Sequence, residues 1–577
     1  MRASRVSRGT ACRPGKQLAG SPASSARTAS DTVNRQRILI LGGGFGGVYA
    51  AMRLERRLRR RDDVELSLVS RDNYLVFQPL IPEVVSSSIG LVDTIAPLRR
   101  LCPRTQLYTR EIDAIDIPAR TVTLRPGVRP RPLVLEFDHL VIALGNVPAL
   151  GALPGVREHA MPFKSLGDAL HIRNHVLNVL EEAAIEPDRD ARRTLMTFVV
   201  AGGGFSGVEL GAELNDFVRE VVRDYRGLER ADLRVLLLHS GDRILPELDA
   251  SLGRFAHRLL SRRGVEIRLG TRLAGATASA ALLSNGDRVP TRTVVTTVPS
   301  GPNPLLETLG VELQRGRLAV DAHLAVPGLD RIWALGDCAA VTDPRTSRPA
   351  PPTAQHAIRE ARCAADNIMA AIDGGTPTAF SFSALGQLAS LGRRSAVAQV
   401  FGFKLSGIVA WLLWRTVYLM KLPGLDRKLR VATDWALDLF LRQDIVQLKT
   451  DRTRAIASEH FDEGEQLVRQ GDFGDKFYVI RSGRVEVCRE RSGQEPERLA
   501  VLEPGDYFGE AALLEEVTRN STITALTAVD VLTIGRGDFQ TLLVTFPALK
   551  TVFEDLARAR RRKPDPTGED TSTRQQP

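Results

Sequence analysis

The chain has 577 residues, of which 43% are hydrophobic and 25% charged, a composition typical of a soluble protein with several domains. Its formal net charge is +10, yet residues 1–37 hold eight basic side chains against one acid. The remainder is close to neutral, so the charge gives no indication of nucleic-acid binding. The five cysteines are scattered without C-x-x-C or metal-ligand spacing, which excludes a redox-active disulfide and predicts no metal site.

The two ends of the chain predict disordered tails. Residues 1–35 are rich in Ser, Arg, Ala and Gly and contain no apolar h-region, so they do not form a secretory signal. A transit peptide and an overcalled start codon are alternatives for this basic tail. Residues 564–577 predict a second disordered tail, and the chain contains no stretch of 18 uncharged apolar residues that would predict a transmembrane helix.

Two glycine-rich turns, G-G-G-F-G-G at residues 42–47 and G-G-G-F-S-G at residues 202–207, each join a β-prone run to a helical pattern. In a dinucleotide-binding turn, the first glycine permits a tight bend and the second allows the backbone to approach a pyrophosphate. The last glycine permits close helix–strand packing. Two such turns predict two dinucleotides held side by side. The predicted contacts are Gly42, Gly44, Phe45, Gly46 and Gly47 in the first turn, and Gly202, Gly204, Phe205, Ser206 and Gly207 in the second.

The strand that follows each turn should end in an acid that holds a ribose hydroxyl. The first of these strands ends instead at Ser70, which can still form a hydrogen bond with a ribose. The second ends at His239, with Arg243 shortly after it. Without a carboxylate, discrimination against a 2′-phosphate is weakened, so this site leaves both NADH and NADPH open.

The segment Asn73–Leu80, N-Y-x-x-F-Q-P-L, resembles the type II (non-proton-pumping) NADH dehydrogenases among the two-dinucleotide flavoproteins, as does G-Q-L-A-S-L-G-R at Gly386–Arg393. The resemblance implies an α/β fold with tandem Rossmann-like FAD and NAD(P) domains and amphipathic C-terminal helices. The implied boundaries are residues 36–150 and 320–385 for the FAD domain, 151–319 for the NAD(P)H domain and 386–450 for the membrane-surface helices.

The same resemblance assigns roles to individual residues. It places Ala143, Gly145, Asp337 and Ala354 against FAD, and Glu209 on the nicotinamide side of the stack. The alternative for Glu209 is an acid that the helix N-terminal dipole favours.

The family's A-Q-x-A segment is present, and the resemblance implies that it carries Gln355 to the edge where flavin and quinone meet. Glu209 and Gln355 are the predicted catalytic residues. The predicted quinone pocket comprises Gln355, His356 and Arg359. Because Arg359-Glu360 replaces the usual Q-Q pair, the pocket is expected to be more charged than is typical of the family.

The implied activity is non-electrogenic NADH:quinone oxidation through FAD at the cytoplasmic face of the inner membrane, with a homodimer left open. Two alternatives remain: a soluble NAD(P)H-dependent flavin reductase that passes electrons to a small redox protein, and a non-catalytic nucleotide sensor. A sulfide:quinone enzyme would need a cysteine pair near the flavin, and no pair has that spacing.

A membrane-surface segment is predicted at Phe401–Lys421. Helical spacing aligns Trp411, Trp414 and Tyr418 in an aromatic stripe flanked by basic residues, a pattern that favours a helix lying in the membrane interface. The alternative is a buried helix or a dimer contact.

Residues 455–563 contain short β-prone runs separated by glycines, which predict an antiparallel β-roll. The segment Tyr507–Leu514, with Arg519 beyond it, resembles the phosphate-binding cassette of cyclic-nucleotide-binding domains. Glu510 would accept a hydrogen bond from the ribose 2′-hydroxyl of cAMP or cGMP, and Arg519 would neutralise the cyclic phosphate. The predicted site comprises Gly509, Glu510, Ala511, Ala512, Arg519, Asn520 and Ser521. Regulation of the enzyme by this nucleotide is a hypothesis.

Overall fold

The computed structural model describes most of the chain between residues 35 and 553. The described residues are 35–127, 131–297, 300–343, 348–382, 386–447, 456–461, 463–472, 474, 476–491, 496–514, 518–545, 549 and 551–553. Apart from Arg35, both predicted disordered tails therefore lie outside the described residues.

The first region builds a parallel sheet around the first glycine turn. Its elements are β1 (Gln36–Leu41), α1 (Phe45–Arg57), β2 (Val64–Ser70), β3 (Tyr74–Val76), α2 (Ile81–Val85), β4 (Ile95–Pro97), α3 (Leu98–Leu101), β5 (Gln106–Thr109), β6 (Ile112–Asp116), β7 (Thr121–Leu124), β8 (Leu133–Glu136), β9 (His139–Ile142) and β10 (Asn146–Pro148). The central strand β1 pairs in parallel with β2 and β9. Its apolar run is buried on both faces, as parallel strands covered by helices require.

The second region repeats this arrangement around the second glycine turn. Its elements are α4 (Val156–His159), β11 (Met161–Pro162), α5 (Leu166–Ile185), α6 (Arg189–Leu195), β12 (Thr197–Ala201), α7 (Phe205–Val221), β13 (Arg234–Leu238), α8 (Ala250–Arg262), β14 (Val265–Arg268), β15 (Leu273–Thr277), β16 (Ala280–Leu283), β17 (Arg288–Pro290), β18 (Thr293–Thr296) and β19 (Ser300–Pro302). The parallel sheet has the order β11-β18-β12-β13-β14. The helix α7 starts directly after the turn and lies against this sheet.

The chain then returns to the first sheet. Its next elements are β20 (Leu313–Gln314), β21 (Arg317–Ala319), β22 (Ile332–Ala334), β23 (Ala339–Ala340), β24 (Thr342–Asp343), β25 (Arg348–Pro349) and α9 (Ala354–Asp373). Strand β22 pairs with β9 and completes the order β22-β9-β1-β2-β5. Helix α9 packs on α1, where Arg53 forms a bidentate ion pair with Asp366 at 2.9 and 3.1 Å. Two glycine turns thus open two similar parallel sheets within one α/β architecture.

A small antiparallel sheet and two helices complete the oxidoreductase part. They are β26 (Gly386–Ser390), β27 (Ala396–Val400), β28 (Phe403–Gly407), α10 (Ile408–Lys421) and α11 (Leu425–Leu437). Among the described residues, no helix is both long and apolar enough to cross a membrane.

The orientation of α10 corrects the predicted aromatic stripe. Trp411 and Trp414 are 7% and 1% exposed, and Tyr418 is half-buried with its ring 6.0 Å from that of Phe77. The stripe therefore packs inward against the protein and not toward a membrane. The apolar side chains that α10 and α11 expose are Ile408, Val409, Leu412, Met420, Leu425, Leu429 and Leu437, and polar residues such as Lys421 and Arg430 are exposed beside them.

The C-terminal region forms the predicted antiparallel roll. Its elements are β29 (Ile456–Phe461), β30 (Gln466–Val468), β31 (Lys476–Ser482), β32 (Val485–Arg489), β33 (Glu497–Leu502), β34 (Tyr507–Phe508), α12 (Glu510–Leu514), β35 (Thr522–Ala525), β36 (Val529–Gly535) and α13 (Arg536–Thr545). The strands form two four-stranded sheets, β29-β36-β31-β34 and β30-β35-β32-β33. Their facing apolar side chains, among them Ile480, Val485 and Val531, form a core of their own.

Candidate functional site

The first glycine turn leaves the start of α1 accessible to a phosphate. Gly42 has φ +117°, and a Cβ there would collide with the carbonyl oxygen of Ala143. Gly44 is the N-cap residue of α1, no side chain caps it, and open space faces the position that its Cβ would take. The backbone N–H groups at a helix start bind anions, so this cradle suits a pyrophosphate.

Other residues predicted to contact FAD surround the same turn. Gly46 and Gly47 are buried in α1, and Gly145, with φ +66°, lies two residues beyond Ala143 in the loop after β9. Ser70 ends β2, where its hydroxyl donates to the carbonyl of Asp72 at 2.6 Å and lies beside Gly43. Ser70 therefore lies at the sheet edge where a ribose ligand is expected.

The second glycine turn has the same geometry and one unanticipated carboxylate. Gly204 is the N-cap residue of α7 without a side-chain cap, and a Cβ on Gly203 would collide with the ring of His239. Sequence reasoning missed Glu247, whose carboxylate oxygen lies 3.0 Å from the position of a Cβ on Gly204. Arg243 donates to the carbonyl of Pro246 at 3.0 Å, which holds its guanidinium on its own loop.

A cavity of about 290 Å³ lies between the two dinucleotide sheets. Its walls bring together residues that are far apart in the sequence, including Gln78, Asn146, Lys164, Ser206, Glu209, Thr297, Asp337 and Pro352. The predicted residues Ser206, Glu209 and Asp337 thus face one space. Parallel sheets place the loops after their strands at the same edge, which is where ligands bind in such folds.

Glu209 lies in the second turn of α7 and is 8% exposed. Its Oε1 accepts a hydrogen bond from the backbone N–H of Ser390 at 2.9 Å. The pKa of Glu209 is raised to about 8, mainly by burial and to a smaller extent by the nearby charge of Glu83, while the hydrogen bond from Ser390 opposes the rise. An acid stabilised only by the helix dipole would lie in the first turn and be solvated, whereas Glu209 is buried and lines the cavity.

Lys164 is a half-buried charge that lines this cavity, and sequence reasoning gave it no role there. Its ammonium group donates to the backbone and side-chain oxygens of Asn146. Burial lowers the pKa of Lys164, whereas the charge of Asp337 raises it. Burial raises the pKa of Asp337, and the Lys164 charge opposes this. A facing cation and carboxylate therefore polarise one end of the cavity.

A second cavity of about 410 Å³ is mainly apolar. Its walls contain Phe45, Tyr49, Phe77, Phe205, Phe382 and Tyr418, together with three cationic side chains, Arg359, Arg362 and Lys421. Gln355 also lines it and donates to the carbonyl of Gly386 at 3.0 Å. Aromatic walls with a few polar groups are typical of sites for flat organic ligands.

His356 does not belong to the wall of this cavity, contrary to the sequence-based grouping. Its Nδ1 lies 2.8 Å from the hydroxyl of Thr353, and its ring meets that of Phe382 edge-on at 5.2 Å. Thr353 is the N-cap residue of α9, so His356 lies in the first turn of the helix, where it is buried. Burial lowers its pKa. Helical phase therefore separates His356 from its neighbour Gln355.

The two cavities share a wall. Consecutive residues face opposite cavities at three places: Gln78 and Pro79, Ser206 and Phe205, and Pro352 and Thr353. A planar group inserted at this wall would have the polar cavity on one side and the apolar cavity on the other.

The C-terminal roll contains a separate site. Arg519 and Glu510 are 6% and 4% exposed. Arg519 donates to the carbonyls of Gly509 at 3.0 Å and Lys476 at 2.6 Å. Gly509 has φ +92°, a conformation that turns the chain into α12. Ala511, Ala512, Asn520 and Ser521 flank these two charged residues, and Asn520 is exposed.

Comparisons with known proteins agree with both regions. The family described as pyridine nucleotide-disulphide oxidoreductase matches residues 36–361, the NDH2 C-terminal domain matches 385–444, and the cyclic nucleotide-binding domain matches 458–546. Demethylphylloquinone reductase NdbB of Synechocystis is 33% identical over 70% of this chain and 96% of its own length.

Type II NADH:quinone oxidoreductase NdhA of Mycobacterium tuberculosis is 30% identical over 71% of this chain and 88% of its own length. A solved structure of NDH2 from Plasmodium falciparum with NADH has a TM-score of 0.66, covers 71% of this chain and all of that chain, and is 19% identical. At that identity it shows the fold alone.

Fold and site together define a pyridine nucleotide oxidoreductase with flavoprotein architecture. Within that class, the chain belongs to the type II NADH:quinone oxidoreductases and carries a C-terminal cyclic nucleotide-binding domain. The family-level expectation from the sequence is thereby confirmed, as is the fold class.

Proposed function

We propose that this protein oxidises NADH and reduces a membrane quinone through bound FAD, without pumping protons. The observation that carries this proposal is the shared wall between the polar and the apolar cavity. FAD, when bound, accepts a hydride from NADH and passes two electrons to the quinone. The protein residues orient the ligands and keep the two substrates on opposite sides of that wall.

The residues present suit FAD. The open cradle at Gly44 accommodates a pyrophosphate, Ser70 lies where a ribose is held, and Ala143 and Gly145 bring backbone close to the nucleotide. Asp337 and Ala354 would lie along the flavin. Buried Glu360 accepts a hydrogen bond from the backbone N–H of Gly336 at 2.7 Å, which stiffens the turn that carries Asp337.

NADH would bind at the second glycine turn, Gly202–Gly207, next to His239. Glu209 and Lys164 would face the nicotinamide side. Arg243 is held on its own loop by its hydrogen bond to Pro246, and membership of the family favours NADH over NADPH.

The quinone would occupy the apolar cavity. Its aromatic walls suit a flat ring, and Gln355 and Arg359 supply polar contacts at its oxygens. The aliphatic face of α10 and α11 would place the cavity mouth at the membrane surface, on the cytoplasmic side. Trp411, Trp414 and Tyr418 point inward and therefore do not attach the protein to the membrane.

Anaerobic kinetics test the proposal. Purified protein loaded with FAD is mixed with NADH, flavin absorbance is followed, and a soluble quinone is then added. We expect bleaching followed by rapid recovery. Bleaching without recovery would favour the soluble reductase that passes electrons to a protein, and flavin that neither NADH nor NADPH reduces would favour the sensor.

We further propose that a cyclic nucleotide bound to the roll through Glu510 and Arg519 regulates the enzyme. Support comes from the segment that leaves the oxidoreductase part. Arg173 on α5 donates to the carbonyls of Val446 at 2.8 Å and Asp444 at 3.1 Å, and to the hydroxyl of Ser87 at 2.6 Å. A displacement of this segment would move the loop after α2 through the contact between Arg173 and Ser87. That loop also holds Ser86, which contacts the buried carboxylate of Glu213.

Steady-state quinone reduction with and without cAMP or cGMP tests this regulation. A change in rate that is lost in Arg519→Gln, with basal rate retained, is the expected result. Nucleotide binding without any change in rate would rule out regulation and leave the binding site intact.

A further inference from the structure

The apolar cavity carries an unbalanced positive charge. Three cations, Arg359, Arg362 and Lys421, stand in its wall, and none of the described residues that line it is an aspartate or a glutamate. Nor does any acidic side chain among the described residues form an ion pair with these three cations. Two arginines of α1, Arg53 and Arg57, differ in this respect, because both pair with a carboxylate of α9 at 2.9 and 3.5 Å.

Each of the three cations acts on the interior of the cavity. The guanidinium carbon of Arg359 lies 5.2 Å from the centre of the Phe382 ring, which is part of the same wall. The pKa of Lys421 is lowered mainly by burial and to a smaller extent by the charge of Arg359, so these two cations lie close together. Burial raises the pKa of Tyr49, and the charge of Arg362 opposes this rise. The positive charges are therefore directed at the aromatic wall.

The acids behind this wall do not cancel the charge. Glu360, next to Arg359 on α9, does not line the cavity and accepts a hydrogen bond from the backbone N–H of Gly336. Glu209 lies behind Tyr418, and its raised pKa of about 8 keeps it mostly protonated at pH 7. Aromatic walls screen charge poorly, so the potential inside the cavity stays positive.

A positive potential beside a flat apolar space favours one class of ligand. We propose that the apolar cavity selects quinones whose ring carries an ionised acidic group over neutral quinones of the same size. The guanidinium groups of Arg359 and Arg362 would donate charge-assisted hydrogen bonds to that group, while the aromatic side chains cover the ring. This inference rests on the proposed function, because it names the kind of quinone that the cavity takes. The glutamine that is usual in the family at position 359 would not give this preference.

Binding without turnover tests the preference. Oxidised, FAD-loaded full-length protein is titrated calorimetrically at pH 7, in the absence of NADH, with two quinones of similar size. One is 2-hydroxy-1,4-naphthoquinone, whose hydroxyl is ionised at this pH, and the other is the neutral 2-methoxy-1,4-naphthoquinone. We expect the ionised quinone to bind about tenfold more tightly. Rising ionic strength should weaken its binding and leave that of the neutral quinone unchanged.

The ratio of the two affinities identifies the residues responsible. Arg359→Gln and Arg362→Gln should each lower this ratio roughly three- to tenfold, since each removes one charged donor. Arg359→Lys keeps the charge and should retain most of the preference. Arg254→Gln, which removes an exposed arginine of α8, is the matched control and should leave the ratio unchanged. A general disturbance of the cavity would weaken both quinones alike and would not move the ratio.

The outcomes separate this inference from the proposed function. Equal affinities for the two quinones in the wild type, or a ratio that neither glutamine variant lowers, would overturn the inference and leave the proposed function standing. An unchanged ratio together with weaker binding of these variants to phosphatidylglycerol vesicles would overturn it in favour of lipid headgroups as the anions. If the wild type bound neither quinone, the assignment of quinone to this cavity would be refuted, and the inference with it.

Discussion

The guanidinium carbon of Arg415 lies 4.0 Å from the centre of the Trp411 ring and 4.8 Å from that of Trp435. Cation–π contacts of this kind are strong when water is excluded. They turn one face of α10 inward, over Glu83 and Asp438, and leave the opposite aliphatic face exposed. The orientation of α10 about its own axis thus determines which of its residues can contact a membrane.

The exposed aliphatic face is expected to carry membrane binding. Leu412 is 55% exposed on this face. Leu412→Glu should reduce binding to anionic lipid vesicles about tenfold, because a charge replaces apolar area that the membrane would bury. Sedimentation with vesicles measures it. Ile185→Glu, at a site 77% exposed on α5, is the control and should bind like the wild type. Equal loss in both variants would argue against a specific face.

Trp414 is expected to stabilise the fold. It is 1% exposed and contacts the rings of Tyr418 and Trp435, so Trp414→Ala should lower the free energy of unfolding by about 3–5 kcal/mol. Thermal melting of the full chain monitors this change, with Leu412→Ala as the exposed control. A melting temperature equal to that of the wild type would contradict the inward orientation of α10.

Stability should depend on pH through Glu209. Its pKa is raised to about 8 in the folded protein, above the ordinary value near 4.3, so the folded state binds the proton more tightly. This contribution is fully present below pH ~4 and is lost as the pH rises through about 8. The melting temperature of Glu209→Gln should therefore be closer to that of the wild type at pH 5 and should exceed it at pH 8.5. If the difference in melting temperature between the two proteins stays the same from pH 5 to pH 8.5, the raised pKa is contradicted.

Arg519 is expected to control nucleotide affinity. Replacing its guanidinium removes charge-assisted hydrogen bonds to a cyclic phosphate, so Arg519→Gln should weaken binding of cAMP roughly 10- to 100-fold. Calorimetry on the full-length protein measures the affinity. Arg498→Gln, with a side chain 54% exposed on β33, serves as the control. Retained affinity in Arg519→Gln would place the nucleotide elsewhere.

The ribose site offers a specificity test. His239 occupies the position where a carboxylate is usual and packs on Gly203. His239→Glu should raise the ratio of kcat/KM for NADH over NADPH about tenfold, since the new charge repels a 2′-phosphate. An unchanged ratio would indicate that the ribose contacts a group other than residue 239. The candidate is Glu247, whose carboxylate lies close to Gly204.

Local patterns were sufficient to predict the elements that create the two nucleotide turns. The sequence between β1 and α1, and between β12 and α7, requires glycine where a side chain would collide with backbone, so spacing alone located both turns. The roll and the positions of Glu510 and Arg519 followed from a similarly compact motif. The residue-level roles in these sites stay predictions.

Other features depend on contacts that no local pattern encodes. Periodicity identified an aromatic stripe on α10 but could not say whether its partner was lipid or Trp435, because both environments favour the same side chains. His356 and Gln355 are neighbours in sequence, yet helical phase sends only Gln355 to the cavity. The carboxylate Glu213 meets Ser86 across 127 positions, a pairing that only packing creates.

The sequence by itself therefore determined the class of protein, since backbone sterics at a few glycines and short motifs are properties of adjacent residues. Only the tertiary structure decided which faces are buried, which cavity each side chain enters, and which carboxylates keep their protons. Those properties depend on burial and on charges brought together from distant segments, and a solvated chain has neither.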